Sequence, residues 1–236
     1  MRKVVVLRAE LLSPNVKGLT MACADGAPLG FVPGQWINLQ LDCRGTLDKR
    51  PYSIASAPKP EQPEQFEIAV TRVEQGSVSL SLHALNSGDE LQLDGPYGFF
   101  TREDHPDDDA LLVGTGTGVG PLRAMIQAEL ASRSSGPRLT LLFGCRTQDD
   151  LLYRAEFEAL AREHDRFRFE PTLSRPDAAW RGRSGYVQAQ LPELVESHGR
   201  PHVYVCGLSD MVNDVRATLK QALGYDRKHI HTERYD

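Results

Sequence analysis

Two periods of apolar residues run along this chain. Up to about residue 100 the hydrophobic positions come in short segments, several of them alternating with polar ones: "RKVVVLRAELL", "GLTMACAD", "GQWINLQLD", "RPYSIAS", "QFEIAVTRV" and "DELQLDGP". Gly, Pro and Asp break the chain between them. That pattern predicts a small antiparallel barrel, with one short helix over "VSLSLHAL". Residues 101–109, "TREDHPDDD", form an acidic stretch with no apolar residue and mark a boundary. Beyond it the period changes. "ALLVG", "RLTLLFG", "RFRFEPTL" and "HVYVCG" read as buried strands, and "HIHTERY" as a last one. Helical segments fall between them. "PLRAMIQAELASR" puts Leu122, Met125, Ile126 and Leu130 on one face, "RAEFEALAREH" and "YVQAQLPELVESH" follow, and "SDMVNDVRATLKQAL" carries Val212, Val215 and Leu219 as an inner stripe behind Ser209 as N-cap. Strands alternating with helices predict a doubly wound parallel sheet, which binds ligands at the carboxyl ends of its strands. The fold class is β followed by α/β, with domains over residues 1–102 and 108–236.

Composition narrows the classes. The chain has 236 residues, 40% of them hydrophobic, and a formal net charge of −5. It is long enough for two compact domains. The negative charge argues against nucleic acid and anionic membranes as partners. No apolar run approaches the roughly 20 residues that span a bilayer, and the reading is a cytoplasmic protein. Cys23, Cys43, Cys145 and Cys206 are widely and irregularly spaced, with no C-x-x-C, so reduced thiols are expected and no iron–sulfur or zinc motif. The seven histidines, His83, His105, His164, His198, His202, His229 and His231, show no metal-ligand spacing and are assigned to surface or packing; no metal site is expected. No G-x-S-x-G elbow supports serine hydrolysis.

Two stretches carry chemistry. "VGTGTGVGP" leaves the first strand of the second half, with Gly114, Gly116, Gly118 and Gly120 alternating with small residues before Pro121. Thr115 and Thr117 stand between the glycines. Stripping side chains from a strand–helix junction lets a phosphate reach backbone N–H groups at a positive helix end. The spacing is neither G-x-G-x-x-G nor a P-loop, so phosphoryl transfer loses its main support and a dinucleotide site is expected. In "KRPYSIASAP", Arg50, Tyr52 and Ser53 offer a cation, a flat ring and a hydroxyl. Arg50 and Tyr52 share a strand face and Ser53 points the other way. A flavin dinucleotide needs that trio; a half-buried tyrosine beside a surface arginine is the plainer reading of the stretch alone.

In their order and spacing these segments resemble the ferredoxin–NADP⁺ reductase superfamily over essentially the full length. "RPYS" looks like its R-x-Y-S flavin motif, "QGSVS" its G-x-V-S segment, "GPYGFF" its closing barrel segment and "GTGTGVGP" its nicotinamide-nucleotide loop. "WRGRSGYV" and "VCGLSDM" look like the segments that follow. The resemblance implies that Arg50 contacts the flavin pyrophosphate, Tyr52 packs on the isoalloxazine or ribityl chain, and Ser53 sits near N5. Ala69, Val70 and Thr71 would run along the ribityl chain. Gly76, Ser77, Val78 and Ser79 would cradle phosphate at a helix start, which favours FAD over FMN. Gly114, Thr115, Gly116, Gly118 and Pro121 would receive the nicotinamide dinucleotide, with Thr117 at the meeting point of the two cofactors. Cys206 would pack beside the nicotinamide, Gly207 and Met211 shaping that wall. The terminal "ERY" is similar to the family's E-x-Y, with Glu233 near the reacting atoms and Tyr235 on the flavin face, although Asp236 extends one residue further.

The expected activity is hydride transfer between a reduced nicotinamide and flavin N5, in which Ser53, Cys206 and Glu233 line the reacting atoms. Electrons then pass to a ferredoxin-like iron–sulfur protein. Free flavin as acceptor, or service as the electron-transfer subunit of a larger complex, are the alternatives. Arg146, Ser174, Arg175 and Arg183 are the candidates for the far end of the nucleotide. Arginines there favour NADPH over NADH, since a guanidinium can clamp a 2′-phosphate; Asp149 and Asp150 come a few residues late for the acidic ribose contact of an NAD enzyme.

Overall fold

The computed structural model describes residues 1–43, 46–197 and 199–235, with the side chains of all but 42, 43 and 46. His198 and Asp236 lie outside the described residues. Two compact units emerge: Met1–Thr101 with Arg123–Ala128, and Arg102–Leu122 with Glu129–Asp236.

The first unit is a six-stranded antiparallel sheet. Its strands are β1 (Arg2–Ser13), β2 (Val16–Cys23), β3 (Trp36–Cys43), β4 (Thr46–Ser53), β5 (Gln65–Thr71) and β6 (Glu90–Tyr97), in the order β4-β3-β6-β1-β2-β5. A bridge between Ile54 and Ile68 joins the two ends of that order, which closes the sheet into a barrel. Alternation does the folding. In β5, Phe66, Ile68 and Val70 point inward and are essentially unexposed, while the residues between them reach the surface. Leu19, Met21, Ile37 and Leu39 meet them in one core. Each such side chain stabilises by about 1.5–3 kcal/mol when fully buried. Helix α1 (Ser77–Ala84) lays Val78 and Leu82 on this core.

The second unit holds six parallel strands: β7 (Ala110–Thr115), β8 (Leu139–Cys145), β9 (Phe167–Leu173), the two-residue β10 (Arg183–Ser184), β11 (His202–Leu208) and β12 (Ile230–Tyr235). Their order is β10-β9-β8-β7-β11-β12. β7, β8 and β11 are apolar runs buried almost throughout, as strands covered on both faces must be. Helices α2 (Val119–Ser132), α3 (Arg154–Glu163), α4 (Val187–Ser197) and α5 (Ser209–Ala217) alternate with them. The chain steps from β7 outward to β8 and β9, then returns to lay β11 on the other side of β7. The carboxyl ends of β7 and β11 therefore form the switch point of the sheet.

Two details differ from expectation. Ser209 is the first helical residue of α5 rather than its N-cap, because β11 runs extended through Leu208, which takes the cap position. The helix expected over 209–223 holds α-geometry to Ala217 and then widens into a π-turn over Thr218–Ala222. The Thr218 hydroxyl donates to the Asp214 carbonyl there, which competes with the regular backbone ladder. Among the described residues no helix is long and apolar enough to cross a membrane.

Candidate cofactor sites

At the switch point the glycine loop lies directly on the "VCG" segment. β7 ends at Thr115, Gly116–Gly118 make one 3₁₀ turn, and α2 follows, with Pro121 in its first turn. Gly116 takes a positive φ of 53°. A Cβ on Gly118 would stand 2.4 Å from the Cys206 carbonyl oxygen. A Cβ on Gly207 would stand 2.5 Å from Thr115 Oγ1 and 2.6 Å from Met211 Cε. The two segments, about ninety residues apart in sequence, can touch only as glycine. Parallel pairing sets Gly114 opposite Cys206 and Cys206 opposite Glu233, so two of the three expected active-site residues sit at this rim.

The electrostatics suit an anion and an uncharged ring. The first turn of α2 has no acidic residue, so its partial positive charge is not cancelled. Cys206 is fully buried; burial first, then the Glu233 charge, pushes its thiol well above the usual range, while a hydrogen bond from Tyr235 pulls the other way. It is a neutral thiol and no nucleophile at neutral pH. Thr115 Oγ1 is buried at the strand end and has no hydrogen-bond partner among the described residues. A polar atom left in that state costs about 1–3 kcal/mol, and a ligand that reaches it recovers this. The orphaned hydroxyl, and the open space beside Gly116, where a Cβ would meet nothing within 4 Å, both fit a nicotinamide dinucleotide. Tyr235 is paired in β12 opposite Leu208, so the terminal "ERY" is strand rather than a frayed end.

Farther along the rim, two backbone hydrogen bonds tie the loop after β8 to the loop after β9. The N–H of Ser174 donates to Cys145 O and that of Arg175 to Arg146 O, each at 2.9 Å. Arg146 and Arg175 are exposed. Arg183 is a different case and corrects the expectation of a phosphate contact. Its Nε donates to Glu170 at 2.8 Å, and Nη1 and Nη2 donate to Glu193 at 2.7 and 2.6 Å. These carboxylates raise its pKa further, Glu193 most. With a further bond from Nη1 to Gln190, the guanidinium is occupied by protein partners and pins β10 to β9 and α4.

In the barrel, register sets Tyr52 opposite Ile37, Arg50 opposite Leu39 and Ser53 opposite Trp36. Arg50 and Tyr52 therefore share a face and Ser53 takes the other, as expected. Tyr52 packs against the barrel core and Arg50 is exposed. Ala69 is half-buried and Thr71 exposed. Val70 departs from the expected ribityl contact: its side chain is in the core and its carbonyl accepts from His83 Nε2 at 2.9 Å. The G-x-V-S segment departs in a similar way. Val78 is buried, and the Ser79 hydroxyl accepts from Val73 N–H and donates toward the Val73 and Gly76 carbonyls. Gly76 is the N-cap of α1, and no acidic residue stands in that helix's first turn. What this helix end offers a phosphate is its unpaired backbone N–H groups and the exposed Ser77.

Comparison with known proteins agrees with both halves. An oxidoreductase FAD-binding domain model matches residues 3–101, and an oxidoreductase NAD-binding domain model matches residues 112–217. The chain is 48% identical over 231 residues to Ferredoxin--NADP reductase B of Sorangium cellulosum, covering 95% of this chain and 93% of that protein.

The chain belongs to the ferredoxin–NADP reductase family.

It is accordingly an FAD-dependent oxidoreductase that uses a nicotinamide dinucleotide. Other relatives share the pair of domains. The Phenol hydroxylase P5 protein of Acinetobacter pittii is 33% identical over 98% of this chain, which spans 64% of that longer protein. The FAD/NAD-binding domain of nitric oxide dioxygenase from Vibrio cholerae superposes with a TM-score of 0.88, at 26% identity over 99% of this chain and 98% of that one.

What reading the sequence missed is a side-chain cluster at the opposite rim of the same sheet. His202 begins β11, His231 lies near the start of β12, and His105 of the 101–109 stretch joins them. No local spacing announces it, since the three residues come from three segments.

Proposed function

We propose that this reductase draws hydride from NADPH and delivers electrons to a small iron–sulfur protein. The observation that carries NADPH is the bridged pair of loops after β8 and β9. Consecutive backbone bonds hold Arg146 and Arg175 side by side, and among the described residues no carboxylate pairs with either guanidinium. Such a pair suits a doubly charged 2′-phosphate, which accepts bidentate bonds from arginine; Ser174 adds a hydroxyl. The acidic alternative is weaker. Asp150 turns its carboxylate onto Thr147 N–H and Oγ1, at 3.1 and 3.0 Å, which leaves it occupied with its own turn. The 48% identical relative carries both ferredoxin and NADP in its name.

Bound FAD supplies the redox chemistry, accepting two electrons as hydride and releasing them to the acceptor. The protein supplies alignment. Gly114, Gly116 and Gly118 would admit the dinucleotide to the backbone, and Thr115 Oγ1 would bond it. Cys206, small and neutral, leaves room for the nicotinamide face, with Gly207 and Met211 behind it and Glu233 on the next strand. Arg50 would take the flavin pyrophosphate together with the α1 N-terminus and Ser77. In the barrel unit Tyr52, Ala69 and Thr71 would flank bound flavin and Ser53 would bond near N5; in the second unit Tyr235, at the end of β12, would stand where the nicotinamide enters.

The test compares kcat/KM for NADPH and NADH, then repeats the comparison with Arg175→Ala. The expected outcome is a clear NADPH preference that the variant cuts by about tenfold, equivalent to about 1.4 kcal/mol, with NADH little changed. Equal losses with both nucleotides contradict a 2′-phosphate contact. Reduction of a ferredoxin faster than of free riboflavin or FMN supports the protein acceptor, and the reverse order supports a free-flavin reductase.

A further inference from the structure

We propose that His105, His202 and His231 form a binding site for one borderline divalent transition-metal ion of the zinc and cobalt class. One nitrogen from each ring lies within 4.8 Å of the other two. The closest pair, His202 Nδ1 and His231 Nε2, is 2.9 Å apart. A tetrahedral ion with bonds of about 2.0 Å spaces its ligand atoms by roughly 3.3 Å. A proton shared between two such nitrogens occupies the place where an ion would lie, and small ring rotations open the rest.

The surroundings are those of a ligand set. Tyr204 stacks on His231 with centroids 4.4 Å apart and planes 13° from parallel, which fixes the ring's orientation. His105 lies 4.0 Å from His202, centroid to centroid. Of the three consecutive aspartates in the 101–109 stretch, Asp107 pairs with Arg133 and Asp109 with Arg138. Asp108 instead faces the histidines. Its Oδ2 is 3.4 Å from His105 Nδ1 and 3.6 Å from His202 Nε2. A carboxylate behind a ligating imidazole is the usual outer partner of a metal-bound histidine. His202 is buried, and His105 is about a third exposed, which leaves an entry path.

His202 and His231 share a proton across their 2.9 Å contact, so an ion that takes both nitrogens moves that proton to the outer nitrogen of one ring, which for His202 faces Asp108. Arg102, whose guanidinium is 5.3 Å from the Tyr204 centroid, adds positive charge nearby. That charge opposes any cation, and most effectively the weakly held hard ones, which seek oxygen ligands. Imidazole nitrogen selects the borderline ions instead.

The site is separate from the cofactor rim. His202 stands four residues before Cys206 on β11, about 13 Å along an extended strand. An ion there ties the 101–109 stretch to β11 and β12. Its role is to stabilise this unit, and it takes no part in electron transfer.

The experiment uses the FAD-loaded full chain after chelator treatment. Titration with cobalt(II) is followed by its visible ligand-field absorption, and zinc(II) binding by calorimetry. The expected result is one ion per chain, cobalt displaced by zinc, and a thermal midpoint several degrees higher with zinc. His105→Ala and His231→Gln should each weaken binding at least about a hundredfold, the upper end of what losing even an outer partner costs. Flavin content and its reduction by NADPH should stay unchanged. His105 lies outside the strands, so its variant reports even if His231→Gln fails to fold. No saturable binding, or binding equally tight in the His105 variant, overturns the proposal.

Discussion

The two rims of the parallel sheet are built on opposite plans. At the carboxyl rim the site is made by removing side chains. Gly118 and Gly207 let two segments meet where any Cβ would collide, and the buried Thr115 hydroxyl there has no hydrogen-bond partner among the described residues. At the amino rim three large polar rings are brought together and held by stacking, with Asp108 behind them. The first plan uses backbone and helix ends, and the second uses side-chain nitrogen. A site made of backbone has a local sequence pattern, because glycine must recur where the chain turns. A site made of side chains gathered from separate strands does not.

The largest effect belongs to Gly118→Ala. With 2.4 Å available before the Cys206 carbonyl, the loop must shift, and a shift of about 1 Å near reacting groups costs about a hundredfold in rate. Stopped-flow reduction of the flavin by NADPH should slow by about that factor while FAD content holds. Next comes Cys206→Leu, which enlarges a fully buried side chain at the same rim. It should slow reduction by roughly tenfold or more, as expected when a ring is held back from its near-attack position. If reduction proceeds at the normal rate, Cys206 does not pack beside the nicotinamide.

Thr115→Val is subtler and more diagnostic. It removes a buried hydroxyl that lacks a partner, so unfolding by denaturant should show equal or higher stability, by up to about 1 kcal/mol. The KM for NADPH should nevertheless rise several-fold. Lost stability with an unchanged KM would mean that the hydroxyl serves the fold and not the ligand. The smallest effect is at the other rim. His105→Ala should change the rate of flavin reduction by less than about twofold, within the range of a surface substitution. A large change there would join the two rims into one functional site and end the comparison.

The legibility of each part follows from the same physics. Alternation in β5 and the unbroken apolar runs of β7 and β11 announced a barrel followed by a parallel sheet, since burial on one face or on two writes itself into the period. The glycine loop and "VCGLSDM" were visible as separate segments. That Gly118 rests on Cys206 was not, because it depends on β11 returning beside β7. Arg183 misled for a related reason. A cation in a promising segment looks free until Glu170 and Glu193 arrive from other elements. Val70 and Ser79 matched a motif whose chemistry is carried by the backbone, while their side chains serve the barrel core and a turn. Histidines at 105, 202 and 231 carry no spacing at all, and the pairing of Tyr204 with His231 across β11 and β12 shows how register brings two of them together.

The account's central claim, that the carboxyl rim of β7 and β11 receives a reduced nicotinamide which reduces bound FAD, is tested most directly by anaerobic stopped-flow mixing of FAD-loaded protein with NADPH. The prediction is rapid and complete loss of the yellow flavin band, saturable in NADPH, slower with NADH, and slowed about a hundredfold in Gly118→Ala. A flavin that stays oxidised with both nucleotides, or a Gly118→Ala protein that bleaches as fast as the wild type, would contradict it.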